Sequence, residues 1–95
     1  MKKIEWYIDK VEEETGGAQC YAEKYILNKG WSSQWGGMYA DMAADEIKHA
    51  EYIMRIADEH IKMLTYVPEA DSESWEHCKI RAAEKIAAVR LMLSK

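Results

Sequence analysis

Apolar and polar residues follow a helical spacing in three segments of the chain, at about residues 4–28, 35–64 and 71–94. The breaks between them fall at residues 28–33, which contain glycine and serine, and at residues 65–72, which contain the single proline. No segment shows the strict alternation that is typical of a strand. The pattern therefore predicts an all-α protein with three helices.

The ends of these segments carry residues that are common at helix termini. Gly30 is expected to end the first helix, Ser32 or Ser33 to cap the second, and Asp71 or Ser72 to cap the third. The first connection is short, so the first two helices are expected to form an antiparallel hairpin. The sequence does not determine where the third, C-terminal helix packs. A chain of 95 residues is expected to form a single domain, residues 1–95.

The second helix has a predicted buried seam, in which positions recur at alternating steps of three and four residues. Its members are Tyr39, Met42, Glu46, His49, Ile53, Ile56, His60 and Met63. Glu46 and His49 interrupt this seam with a carboxylate and an imidazole. Burial of such groups is costly unless they are paired or bound to a metal ion.

The other two helices also have predicted seams. The seam of the first helix consists of Ile4, Ile8, Val11, Glu14, Ala18, Tyr21 and Tyr25. The seam of the third helix consists of Trp75, Cys78, Ala82, Ile86, Val89 and Leu93. A second face of the third helix carries Ile80, Ala83, Ala87 and Leu91. Glu14 is the one acid in the first seam. Gly16 and Gly17 follow it and either permit a close helix approach or mark a kink.

The hairpin geometry predicts that Glu14, Glu46 and His49 meet. If the turn centres on Trp31, Glu14 precedes it by 17 residues, and the position 17 residues after it, Lys48, lies between Glu46 and His49. Residues three apart lie side by side on a helix, so Glu46 and His49 can offer oxygen and nitrogen to one ion, with Glu14 as a third ligand. The alternative is that Glu46 and His49 pair with each other at a solvated rim.

Two hairpins related by a two-fold axis would combine four glutamates and two histidines. This ligand set is typical of di-iron and di-manganese carboxylate bundles, in which two helices give one Glu each and two give Glu-x-x-His. Carboxylate-rich sites with imidazole favour iron or manganese, and zinc is an alternative. Dimerisation would also enlarge the modest core that a chain of this length can bury.

Glu14-x6-Tyr21 in the first helix and Asp45-Glu46-x-x-His49 in the second resemble motifs of the ferritin-like superfamily. The chain is most similar to its half-length, encapsulated-ferritin type. This resemblance implies a homodimer or higher homo-oligomer that completes a four-helix bundle, with Glu14, Glu46 and His49 as metal-binding and catalytic residues. It implies Fe(II) and O2 as substrates of a ferroxidase reaction. Tyr21 is expected near the site, hydrogen-bonded to a ligand carboxylate or beside O2, and Asp45 could orient a metal-bound histidine across the dimer.

Composition narrows the alternatives. The net charge of −4 argues against nucleic-acid binding, and the chain has neither an apolar run of membrane-spanning length nor an apolar signal segment, so a cytoplasmic location without membrane association is expected. Cys20 and Cys78 form no metal motif and are expected to be small buried residues. His60 is expected to be satisfied or partly exposed, and His77 to lie on the surface. The competing function is a helical oligomerisation or adaptor module with no functional metal site.

Overall fold

The computed structural model describes all 95 residues and consists of three helices without strands. They are α1 (Lys2–Asn28), α2 (Ser33–Lys62) and α3 (Glu69–Leu93). The all-α prediction and the packing of the first helix against the second are confirmed. A membrane span requires about 20 predominantly apolar residues in one helix, and α1, α2 and α3 all lack such a stretch.

The helix ends agree with the sequence at one of the three predicted positions. Ser32 caps α2, and its Oγ accepts a hydrogen bond from the backbone N–H of Trp35 at 3.2 Å. Gly30 is not a left-handed cap, since no glycine has a positive φ; the turn is closed instead by N–H groups that donate to the carbonyl of Asn28. The predicted caps of α3 were wrong. Pro68 takes the N-cap position, where its missing N–H costs no helical hydrogen bond. Its carbonyl accepts a hydrogen bond from the backbone N–H of Asp71 at 3.0 Å.

Contacts between side chains give the directions of the helices. Along α1, contacts with α2 pass from Tyr7–His60 to Glu14–His49 to Tyr21–Tyr39, so α1 and α2 are antiparallel. Contacts with α3 pass from Tyr7–Trp75 to Glu12–Arg81, so α3 is parallel to α1. The helices form a rod of 54 × 17 × 16 Å, in which α3 packs mainly on α1 and touches α2 much less.

The core has two clusters that follow each other along this rod. The first cluster comprises Ile4, Tyr7, Val11, Ala57, Trp75, Cys78 and Ala82. The second comprises Ala18, Ala22, Ala43, Ile47, Ala50, Ile86 and Val89. Met54 is partly buried and packs against both clusters.

The predicted seam of α2 was wrong in phase. The buried residues of α2 are Gly36, Ala43, Ile47, Ala50 and Ala57, and four of these lie one position after a member of the predicted seam. One position corresponds to a rotation of about 100° around the helix. The reason is that alanine and glycine, which a search for large apolar residues overlooks, allow α1 and α2 to approach closely. The predicted seam therefore lies at the edge of the interface.

The seams of the other helices agree better with the sequence. In α3, the predicted residues Trp75, Cys78, Ala82, Ile86 and Val89 are all buried, and the second face is exposed. In α1, Ile4, Val11 and Ala18 are buried as predicted. At the level of Glu14 the neighbouring Thr15 is buried instead, and its hydroxyl donates to the carbonyl of Val11 at 3.0 Å, so this buried polar group is satisfied.

Candidate metal centre

The structure brings Glu14, Glu46 and His49 together halfway along the α1–α2 hairpin. Nδ1 of His49 lies 3.4 Å from Oε2 of Glu14 and 3.7 Å from Oε1 of Glu46. One ligand atom from each residue lies within 4.8 Å of the others, and no residue of α3 belongs to the group. The cluster has its geometry because Glu46 and His49 are three positions apart on α2 and Glu14 faces them from the antiparallel helix.

The expectation of a dry, buried site was wrong for the single chain. The side chains of Glu14, Glu46 and His49 are 21%, 25% and 58% exposed, respectively. The one-residue offset of the α2 seam explains this, because it turns Glu46 and His49 from the centre of the interface to its edge. An ion pair at a solvated rim fits the same geometry in the free chain, so the two interpretations of the cluster differ only in whether a cation binds.

The carboxyl group of Glu14 strongly affects the pKa of Glu46. The pKa of Glu46 is raised from 4.5 to about 7, first by a hydrogen bond with Glu14, which requires a proton, and then by burial and by the negative charge of Glu14. The charge of His49 acts in the opposite direction. At neutral pH the metal-free pair thus holds a proton for part of the time. A cation that binds both carboxylates displaces that proton.

Tyr21 and Asp45, the two predicted auxiliary residues, do not contact this cluster. Tyr21 stacks on Tyr39, with ring centroids 6.3 Å apart and an interplanar angle of 21°, about two helical turns beyond Glu14. It therefore makes no hydrogen bond to either carboxylate of its own chain. Asp45 is exposed, and its role across a dimer stays a prediction.

One residue next to the site was not assigned by the sequence pattern. Gly17 of α1 lies against the carboxylate of Glu46, closely enough that a Cβ at this position would be 2.7 Å from Oε2. The signal in the sequence was a glycine inside a helix, three positions after an acid. A glycine in this position is compatible with either a close helix approach or a kink, and the choice between them requires the position of Glu46 on α2.

The other two histidines and the two cysteines lie outside the cluster of Glu14, Glu46 and His49. Nδ1 of His60 lies 3.1 Å from the hydroxyl of Tyr7, and His77 is exposed, so both expectations for these histidines are confirmed. Cys78 is buried, and burial raises the pKa of its thiol. Cys20 is exposed, which contradicts the expectation that it is buried. It lies on the side of α1 that neither α2 nor α3 covers.

The chain was compared with protein-family models, with curated proteins and with solved structures, and none of these comparisons gave a match.

Proposed function

We propose that this chain is a ferritin-like metal-binding protein, in which two copies form a di-iron carboxylate site that binds Fe(II) and oxidises it with O2. The observation that carries the proposal is the convergence of Glu14, Glu46 and His49 from two antiparallel helices. The resemblance of these residues to ferritin-like motifs supports it. The proposal assigns the protein to the ferroxidases and gives it Fe(II) and O2 as substrates.

The donor atoms fit a first-row divalent ion. Two ligands that are each about 2.1 Å from one ion lie about 3.0 to 3.4 Å apart. The separations of 3.4 and 3.7 Å from His49 Nδ1 to the two carboxylate oxygens need only a small closure to reach this range. Two oxygen donors and one nitrogen donor favour iron or manganese, with zinc as an alternative.

Each side chain has a defined part in this chemistry. Glu14 and Glu46 supply negative charge that stabilises Fe(III) more than Fe(II), which favours loss of an electron to O2. His49 contributes a neutral nitrogen donor and, being the most exposed of the three, faces the direction from which a second copy would approach. The carboxyl of Glu46, whose pKa is raised to about 7, would release its proton to solvent on metal binding, because the positive charge of the ion favours the ionised carboxylate.

An exposed apolar stripe on α2 supports dimerisation through the same face. This α2 stripe consists of Trp35, Met38, Tyr52, Ile56 and Met63, all exposed. Their spacings are 3, 14, 4 and 7 residues, each close to a whole number of helical turns, so they share one side of α2 and of Met63, the residue that follows it. His49 lies on the same side, 11 positions after Met38 and three before Tyr52. Apolar patches of this kind typically mark interaction sites. A second copy docked here would cover His49 and supply the missing half of the ligand set.

Addition of Fe(II) in air tests the function. The wild-type protein is expected to develop an Fe(III) absorbance that saturates at one Fe per chain, because two chains share two ions. His49→Ala is expected to abolish the saturating phase, since it removes the only nitrogen donor. Rapid-mixing absorbance and iron quantification after gel filtration measure both results.

His77→Ala is the matched control, because His77 is an exposed histidine on α3, remote from the cluster. It is expected to behave as the wild type. If His49→Ala and wild type oxidise Fe(II) alike, the site assignment is refuted. If the wild type itself takes up no Fe(II), Mn(II) or Zn(II), the metal function is refuted as a whole.

The α2 stripe gives a separate prediction for assembly. Ile56→Lys places a charge in the proposed interface and is expected to raise the dimer dissociation constant by about 100-fold or more. Ile80→Lys makes the same change on α3, where Ile80 is 56% exposed against 43% for Ile56, and is expected to leave the dimer intact. Sedimentation velocity over a dilution series measures both. A wild type that stays monomeric at high concentration, or dissociation by Ile80→Lys alone, would contradict this interface.

The second candidate function is a helical oligomerisation or adaptor module. The α2 stripe favours it independently, since an apolar face can serve assembly without any ion. This candidate predicts a dimer whose melting temperature does not change with Fe(II), Mn(II) or Zn(II). Ligand binding to the folded state raises the melting temperature, so thermal scans with and without each metal distinguish the two functions.

A further inference from the structure

Gly17 faces the carboxylate of Glu46 across the interface between α1 and α2. A Cβ placed on Gly17 would lie 2.7 Å from Oε2 of Glu46, 3.3 Å from its Cδ and 3.5 Å from its Cγ. Carbon and oxygen atoms that are not bonded to each other rarely approach as closely as the first of these distances. The carboxylate of Glu46 therefore occupies the space that any other residue at position 17 would fill.

The neighbouring glycine has no such contact. A Cβ on Gly16 would meet no atom of another element within 4 Å. Both glycines lie inside one continuous helix, Lys2–Asn28, and neither has a positive φ. The backbone thus does not require glycine at either position, and no break in α1 supports a kink. What distinguishes Gly17 from Gly16 is the space that it leaves for Glu46.

We infer that Gly17 is a positioning residue, whose missing side chain lets Glu46 point toward Glu14 and His49 and so sets the metal affinity of the site. A glycine inside a helix costs about 1 kcal/mol relative to alanine, and at Gly17 this cost accompanies a defined position of a ligand. The metal part of this inference rests on the proposed function. The placement of the Glu46 side chain does not.

The nature of the contact determines what alanine at position 17 does. The clash involves the far end of the Glu46 side chain, which can rotate about its own single bonds, and no backbone atom of α2. The helices therefore keep their packing, and the carboxylate leaves its place instead. Gly17→Ala is expected to retain the fold while moving one donor away from the other two.

A pair of single substitutions tests this inference. Gly17→Ala is expected to weaken Mn(II) binding by about 10- to 100-fold, the range seen when a group that orients a ligand is lost. Gly16→Ala is expected to leave Mn(II) affinity unchanged. Isothermal titration calorimetry measures both affinities, and Mn(II) avoids the oxidation that accompanies Fe(II). Thermal scans of the metal-free variants verify that both fold.

Crystal structures of the two metal-free variants give a readout that does not depend on metal. In Gly17→Ala the Glu46 carboxylate is expected to leave His49 and Glu14, whereas in Gly16→Ala it keeps its place. An unmoved carboxylate in Gly17→Ala, or equal Mn(II) affinity in wild type and Gly17→Ala, overturns the inference while leaving the metal function standing. If the carboxylate moves but the wild type binds no metal, the positioning role is correct and the proposed function fails.

Discussion

Glu46→Gln is expected to make the metal-free protein more stable at pH 8 and to remove the stabilisation that a bound metal ion provides. At this pH the carboxyl of Glu46, whose pKa is raised to about 7, is ionised beside the negative charge of Glu14. Glutamine removes one of the two charges while it keeps the size of the side chain and can donate a hydrogen bond to Glu14. A neutral amide is a poor ligand for Fe(II) or Mn(II), so the same change weakens the site.

The sign of the pH dependence follows from the raised pKa of Glu46. This pKa is about 7 in the folded chain and 4.5 without the surrounding structure, so the folded state holds more protons between these values. The free energy of unfolding therefore falls as pH rises from 4.5 and continues to fall until the pH passes about 7. Because Glu46 is partly exposed and screened by solvent, we expect the loss to be about 1 kcal/mol.

Thermal unfolding of metal-free protein between pH 5 and 8 measures this effect. A change of about 1 kcal/mol corresponds to a shift of about 4 to 8 °C in melting temperature for a domain of this size. Glu46→Gln should lose most of the decrease that the wild type shows over this range. Glu84→Gln is the control, because Glu84 is an exposed acid on α3 that lies outside the cluster and does not contribute to the raised pKa of Glu46. Equal pH profiles for wild type and Glu46→Gln would contradict the coupling of the two carboxylates.

Trp75→Ala is expected to destabilise the protein by about 3 to 5 kcal/mol, the range for removing a large aromatic residue from a core. The side chain of Trp75 is 2% exposed and lies in the first core cluster, where its ring contacts that of Tyr7 at a centroid distance of 6.2 Å. A chain of 95 residues has a total stability of about 5 to 14 kcal/mol. This one substitution therefore removes a large part of it.

The loss of a hydrogen bond adds to the destabilisation expected for Trp75→Ala. Nε1 of Trp75 donates to Oδ1 of Asp58 at 2.8 Å, and Lys79 contacts the same oxygen at 3.0 Å. Burial raises the pKa of Asp58, but the hydrogen bonds from Trp75 and Lys79 outweigh burial and hold the pKa below its ordinary value. Loss of the indole leaves this carboxylate with one partner fewer.

Urea unfolding followed by circular dichroism, at a fixed protein concentration, measures the loss of stability. Trp75→Phe retains an aromatic ring and is expected to cost about 2 to 3 kcal/mol, for the lost hydrogen bond to a carboxylate and for the space that the smaller ring leaves. Trp6→Ala is the control for removal of an indole from α1, since Trp6 is exposed. If Trp75→Ala is no more destabilising than Trp6→Ala, the assignment of Trp75 to the core is wrong.

The sequence determined the number of helices, the buried face of α3 and the group of residues that meet in the candidate site. These features depend on large apolar residues, on turn residues and on the length of the connection, all of which are visible in a sequence. The convergence of Glu14 with Glu46 and His49 tolerates an error in helix rotation, because long side chains at the edge of an interface still reach one another.

The sequence did not determine the rotation of α2 or the exposure of Cys20. The centre of the α1–α2 interface is formed by alanines such as Ala43 and Ala50, whose burial depends on how closely the partner helix approaches. That distance is a property of two helices together and is not encoded in the periodicity of either one. For the same reason, the role of Gly17 required the position of Glu46 on the opposite helix.

The division of the core has a consequence for the way in which the rod opens. Glu14 lies between Val11, which belongs to the first cluster, and Ala18, which belongs to the second. We expect each cluster to loosen at its own end of the hairpin, with Met54, which packs against both clusters, as an apolar link between them. In the proposed function, a cation bound by Glu14 of α1 and by Glu46 and His49 of α2 would link the two helices at the boundary between the clusters, and we expect it to stop fraying from either end at that level.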